Sequence, residues 1–174
     1  MKDVVLGFND GLYSACVWVA GLSIAVMSLI IPWGIFTRYV LGSGSQWPEP
    51  VSILLMVLFT FLGSASAYRA GSHIAVAMIT SRLPTGLQPL VAKLMTVLMG
   101  LVALFMAYYG TTLVMSTWGQ SIPDIPSMRA GVAYLPVPIA GVITLIFVLE
   151  NLLYGDQSQR RAVQGDAELE AGLE

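Results

Sequence analysis

The residues best able to do chemistry in this chain lie in the stretch YRAGSHIAVAM, where an uncharged run ends in Arg69 and is followed, four residues on, by His73, the sole histidine of the sequence. A histidine this close to an arginine suggests a catalytic role or one arm of a metal centre. Each of those chemistries needs further groups. A metal centre needs more ligands than one imidazole, haem b ligation needs a second histidine on a facing helix, and covalent catalysis needs a nucleophile paired with a base. The single cysteine, Cys16, sits within an apolar run, so no disulfide framework or thiolate cluster can be built. A second pairing is Arg38 with Glu49 across FTRYVLGSGSQWPEP, where the two charges can meet near a membrane surface or snorkel independently.

The elements that must position these groups follow from composition. Of 174 residues, 56% are hydrophobic and only 10% charged, and mean hydropathy is +0.78. Soluble domains carry about 25% charged residues, so the solvent around most of this chain is lipid. A formal charge of -2 supplies no electrostatic footprint for nucleic acid. Charge-free windows cover residues 11–37, 51–68, 94–123 and 130–149. At about 1.5 Å per residue each falls within the length range of a helix that crosses a hydrocarbon core of about 30 Å, the second and fourth with little to spare. Runs such as VSILLMVLFTFLG lack the alternation of barrel strands. The sequence therefore predicts an all-α integral membrane protein with four transmembrane helices, over about 11–37, 51–68, 94–118 and 133–153. Residues 1–154 form one transmembrane domain, and 155–174 form a polar tail. The first run is read as a retained anchor and not a cleaved signal, given its length and the weak basic flank of Lys2 beside Asp3.

Lys2, Arg69, Arg82, Lys93, Arg160 and Arg161 fall on one side of a four-span chain, and Arg38 and Arg129 on the other. The excess predicts both termini in the cytoplasm. Arg69 then lies at the cytoplasmic rim, free to snorkel to headgroup phosphates or to cap helix two, while Gly71 lets the chain turn. Residues 73–83 are too short to span, and Pro84, Gly86 and Pro89 follow them, which predicts a short interfacial helix or turn between helices two and three. On the other side, VLGSGSQWPEP and GQSIPDIPSMRAGVAYLPVP read as connectors broken by proline and glycine, with Trp47, Trp118 and Tyr134 at headgroup level. Pro48 or Pro50 suits the first turn of helix two, and Glu49 suits the positive end of its dipole.

None of the four windows holds an ionisable residue, the usual mark of an ion, proton or substrate path through a membrane. Pro32 is an isolated breaker without a counterpart in a repeated half, so a self-sufficient coupled transporter is disfavoured. The hydroxyls Ser28, Thr60, Ser64, Ser66, Thr96 and Thr111 read as back-bonded or interhelical polar groups. What the spans do carry is small residues at helical spacing: Gly100, Ala103, Ala107 and Gly110 in helix three, Gly21, Ala25 and Ser28 in helix one, and Gly63 with Ala67 in helix two. Such stripes let backbones approach closely, either within this bundle or against a partner.

Taken in order, FTRYVLG, QWPE, FLGSASAYRAGSHIAV, Leu83 with Pro84, and AYLPVPIAG resemble the small membrane subunit, DctQ type, of tripartite ATP-independent periplasmic (TRAP) transporters. On that resemblance Arg38 and Tyr39 match the end of the family's first helix. Trp47 and Glu49 match its tryptophan-acidic element, Gly63 the small residue of helix two, Arg69, Gly71 and His73 the basic element, and Tyr134 with Pro136 the entry to helix four. The family commonly has two adjacent acids after the tryptophan, whereas Pro50 takes the second place here.

The resemblance implies a scaffold role in a bacterial inner membrane and no enzymatic activity. It implies a large multi-span partner of DctM type that carries the sodium and substrate sites and moves by an elevator mechanism. It further implies a periplasmic substrate-binding protein of DctP type that delivers organic acids. No cofactor is expected in this chain; sodium coupling belongs to the large subunit, and a phospholipid at the interface is compatible with the role. A similar small four-span subunit occurs in tripartite tricarboxylate transporters, and a free-standing membrane enzyme or channel is the remaining alternative.

A lone histidine at a membrane rim is expected to serve assembly or nothing at all. His73→Ala should leave the chemistry of a correctly assembled complex in place; a complex that assembles normally yet selectively loses activity would restore a catalytic or ligating role.

Overall fold

The structure, a computed structural model, describes residues 2–43, 47–71, 87–123, 125–155 and 163. Four long helices dominate: α1 (Lys2–Tyr39), α2 (Pro48–Arg69), α3 (Gln88–Thr117) and, after a strand pair β1 (Ser121–Ile122) and β2 (Ile125–Arg129) and a short helix α4 (Ala130–Tyr134), α5 (Pro136–Tyr154). All four spans are long and apolar enough to cross a membrane, with α4 and α5 counted together as the fourth. The expected interfacial helix over 73–83 lies outside the described residues, as does His73 itself.

Each of the four long helices runs past its charge-free window at one end or both. Hydropathy marks where lipid requires apolar side chains, but the hydrogen-bond ladder continues until proline, glycine or tertiary contact stops it. With 38 residues, α1 is about 57 Å long, well beyond a hydrocarbon core of about 30 Å, so it must tilt or project. It contains Pro32 and ends at Arg38 and Tyr39, after which Gly42 takes a left-handed φ of 61°. Helix α2 opens on Pro48, with Glu49 in its first turn, as the proline and dipole rules require. It closes on Ala70 and then Gly71, whose φ of 68° is the left-handed stop at which a glycine pays no steric penalty.

The connector after α3, which the sequence marks only as broken by proline and glycine, contains a strand pair. Ser121 pairs with Arg129 and Ile122 with Ile125 in a small antiparallel ladder. Isoleucine, with its β-branched side chain, sits at both positions of the second pair. The Ala130 N–H donates to the Gln120 carbonyl at 2.8 Å, closing the hairpin base, and Arg129 stacks on Trp118 with its Cζ 5.6 Å from the ring centroid. Tyr134 then ends α4, and Pro136 starts α5 one residue after a break at Leu135.

The helices pack in the spatial order α1, α2, α5, α3, with only limited contact between α1 and α5. Two chemistries hold the row together. Tyr13 and Cys16 of α1, Leu62, Ala65 and Tyr68 of α2, and Ile143, Phe147 and Val148 of α5 make a core near the end where α1 begins. Between α3 and α5 the contact is backbone to backbone. A Cβ on Gly141 would lie 2.7 Å from the Ala107 N and 3.0 Å from the Ala103 carbonyl oxygen; one on Gly110 would lie 3.0 Å from Pro138. The hydroxyls stay within their own helices: Ser28 donates to Ile24, Thr60 to Met56, Ser64 to Phe61, Ser66 to Gly63, Thr96 to Ala92 and Thr111 to Ala107.

Gly141→Ala is expected to push α3 from α5, since backbone atoms block the added methyl; overpacking of this kind costs about 1–3 kcal/mol. Gly21→Ala serves as control because nothing lies within 4 Å of its added Cβ. Thermal unfolding in detergent should place the first variant clearly below the second, and equal midpoints would contradict the close approach.

Candidate functional site

Three charged side chains from three helices converge at the end of the bundle where α1 begins. Arg69 closes α2, Asp10 lies in the third turn of α1, and Glu150 sits four residues before the end of α5. The Arg69 Nε donates to Glu150 Oε2 and its Nη2 to Glu150 Oε1, both at 2.9 Å, a fork that matches guanidinium to carboxylate. Nη2 also donates to Asp10 Oδ1. The guanidinium is sandwiched by rings, with Cζ 5.6 Å from the Tyr13 centroid and 5.3 Å from that of Phe147. The Arg69 and Glu150 side chains are 2% and 1% exposed, so neither is a solvated charge.

This corrects the expectation that Arg69 snorkels to headgroups or caps its own helix. Its stem and head are both enclosed, and the charge is met by carboxylates 59 and 81 residues away in sequence. Asp10 and Glu150 were absent from the sequence-derived candidates because each lies one residue outside a charge-free window. A signal was available, however. Antiparallel connectivity brings the start of α1, the end of α2 and the end of α5 to one bundle end, and the charges flanking those three windows are of opposite sign.

Three hydrogen bonds from Arg69 thus tie the end of α2 to α1 through Asp10 and to α5 through Glu150. Among the described residues no three His, Cys, Asp or Glu side chains come together to hold a metal ion. Arg69 Nη1 is buried with no hydrogen-bond acceptor among the described residues, so the guanidinium is not fully saturated.

At the opposite bundle end, Arg38 Nη2 lies 3.4 Å from Glu49 Oε2. The two side chains are 52% and 71% exposed, and the contact is longer than the about 2.7–2.9 Å of a strong charge-assisted bond. Tyr39 and Trp47 are exposed beside them. Tyr134, about two-fifths exposed, belongs to the same end, while Pro136 is buried at the start of α5. The small-residue candidates separate by fate. Gly100, Ala103, Ala107 and Gly110 of α3 are all turned to α5, against Val148, Gly141 and Pro138. Gly63 faces Ala20, whose Cβ is 3.8 Å from an added Cβ. Gly21, Ala25 and Ser28 of α1 stay exposed. Gly71 makes the turn out of α2, and its N–H donates to the Tyr68 carbonyl.

The chain matches the family model described as the DctQ component of tripartite ATP-independent periplasmic transporters over residues 27–157. It is 23% identical over 153 residues to a Haemophilus influenzae protein whose name places it among the TRAP transporter small permease proteins, covering 88% of this chain and 92% of that relative. It is 26% identical over 159 residues to the ectoine TRAP transporter small permease protein TeaB of Halomonas elongata, covering 87% of this chain and 82% of the relative.

Replacing Arg69 by Ala strands two carboxylates in an apolar setting, which costs about 3–5 kcal/mol, whereas Arg38→Ala should cost at most about 1 kcal/mol. Thermal unfolding in detergent should rank the two variants in that order. Replacing Arg69 and Glu150 together by Met, with Asp10→Asn, should recover most of the loss, because the stranded charges are gone.

Proposed function

The chain belongs to the DctQ component family and is the small permease subunit of a TRAP transporter, and on that premise we propose that it braces a large membrane subunit and moves no substrate itself. The observation that carries this reading is the placement of charge. In the described helices the stretches between the Arg69 cluster and the Arg38–Glu49 pair hold no Asp, Glu, Lys, Arg or His on α1, α2 or α5, and Arg69 is already paired with two carboxylates. A site for an ion or an anionic substrate needs such groups or opened helix ends within the membrane.

The binding of substrate and sodium then falls to the partner, which we take to be a multi-span subunit of the elevator type, with organic acids as the substrate class and a periplasmic protein as the delivering component. The family match favours this over the tricarboxylate system. The inner membrane is the assigned location. The distribution of Lys and Arg supports placing the Arg69 cluster on the cytoplasmic side and the Arg38–Glu49 end, the β1–β2 hairpin and α4 on the periplasmic side. A rigid row of helices serves such a partner because an elevator needs a part that stays fixed in the bilayer. The fork at Arg69 and the glycine contacts of α3 and α5 supply the rigidity.

Reconstituted alone in proteoliposomes, the chain should give no sodium-driven uptake of organic acids, and uptake should appear only with the large subunit present. Affinity capture from the membrane should recover a multi-span protein with it. Uptake by the chain alone would overturn the reading.

A further inference from the structure

The flank formed by α1 and α2 carries an apolar groove of about 390 Å³. Its α1 wall is Met27, Ile31 and Ile35, and its α2 wall is Pro48, Ile53 and Met56. The groove stands open, for Ile35, Ile53 and Met56 are each more than half exposed. Gly34 closes its floor against Pro48, where an added Cβ would come within 2.9 Å. The hydroxyl of Ser52 on the lining is turned inward and donates to the Pro48 carbonyl at 2.7 Å, so it offers the groove no free donor. The lining of this channel is hydrocarbon along most of its length.

From Met27 to Tyr39 the α1 wall runs about 18 Å, close to the depth of one leaflet of a core about 30 Å thick. At the groove's outer end stand two opposite charges, Arg38 and Glu49, both among its lining residues. Their mutual contact is long and both remain over half exposed, which leaves each able to take a second partner. Tyr39 and Trp47 beside them are side chains of the headgroup layer.

An apolar channel one leaflet deep, capped by one cation and one anion, is complementary to a molecule with an acyl chain, a phosphate and an ammonium in that order. We propose that the α1–α2 groove is a binding site for a phospholipid with an ethanolamine headgroup, its acyl chain between Ile31, Ile35 and Ile53, its phosphate on Arg38 and its ammonium on Glu49. The site needs only this chain, so it stands apart from the assignment of the transporter partner.

The test places the full chain in nanodiscs of equal phosphatidylethanolamine and phosphatidylglycerol and counts lipids retained through native mass spectrometry. The unaltered protein should retain phosphatidylethanolamine over phosphatidylglycerol. Glu49→Gln should abolish that preference while keeping lipid bound. Arg38→Gln should lower retention of both by about tenfold, the factor for one lost charge-assisted contact. Ile53→Trp and Ile35→Trp, at exposed positions that leave the fold intact, should each expel the lipid by filling the channel. Equal retention of the two lipids by the unaltered protein, or retention unaffected by Arg38→Gln and both tryptophan variants, overturns the proposal. So does a photo-crosslink from residue 53 in native membranes that goes to a protein helix and not to lipid, which would assign the groove to a protein partner.

Discussion

The buried fork between Arg69 and Glu150, extended to Asp10, is the constraint on which the arrangement of the helices depends. In a membrane, apolar side chains gain nothing by leaving lipid for one another, so the hydrophobic effect cannot decide which helix lies beside which. A charge near the bilayer can. Arg69 must be met by a carboxylate or reach water, and its burial between Tyr13 and Phe147 leaves only the first course. Its partners come from the first and last helices, so one side chain fixes the relative positions of α1, α2 and α5 at one end. Such a cluster adds little net stability over an apolar substitute, yet it penalises every arrangement that separates its members.

The fourth helix of the row is held by other means. Among the described residues helix α3 has no salt bridge to its neighbour, and Gly141 admits its backbone to within van der Waals distance of α5. Dispersion then acts over the whole face formed by Gly100, Ala103, Ala107 and Gly110. The two devices divide the work: polar specificity fixes α1, α2 and α5 at one end, and shape secures α3. The result is a slab of helices with wide, exposed apolar flanks. The outer charges, Arg38 and Glu49, have no comparable part in this. Exposed and loosely paired, they leave the packing of α1 on α2 to contacts such as Gly34 on Pro48 and Ala20 against Gly63.

Composition and charge spacing determined by themselves that the chain crosses the membrane four times as helices, because lipid admits few alternatives to an unbroken apolar helix. They also determined the proline-led start of α2, the glycine stop at Gly71 and the back-bonded hydroxyls, all of which depend on local geometry. The ordered motifs from Arg38 to Pro136 carried the family. Tertiary structure alone decided the rest. Window counting could not show that Asp10 and Glu150 belong with Arg69, because the three meet only when antiparallel helices bring distant segments to one end. Nor could it say which small-residue stripe is used. Gly100 to Gly110 and Gly21 to Ser28 read alike as periodic patterns, and only the neighbour that each face meets distinguishes a closed contact with α5 from a surface left exposed. The connector before α4 eluded sequence reasoning for the same cause, since a strand of two residues has no periodicity and exists through its pairing with another. Local rules fix what each segment can be, and the partner across space fixes what it does.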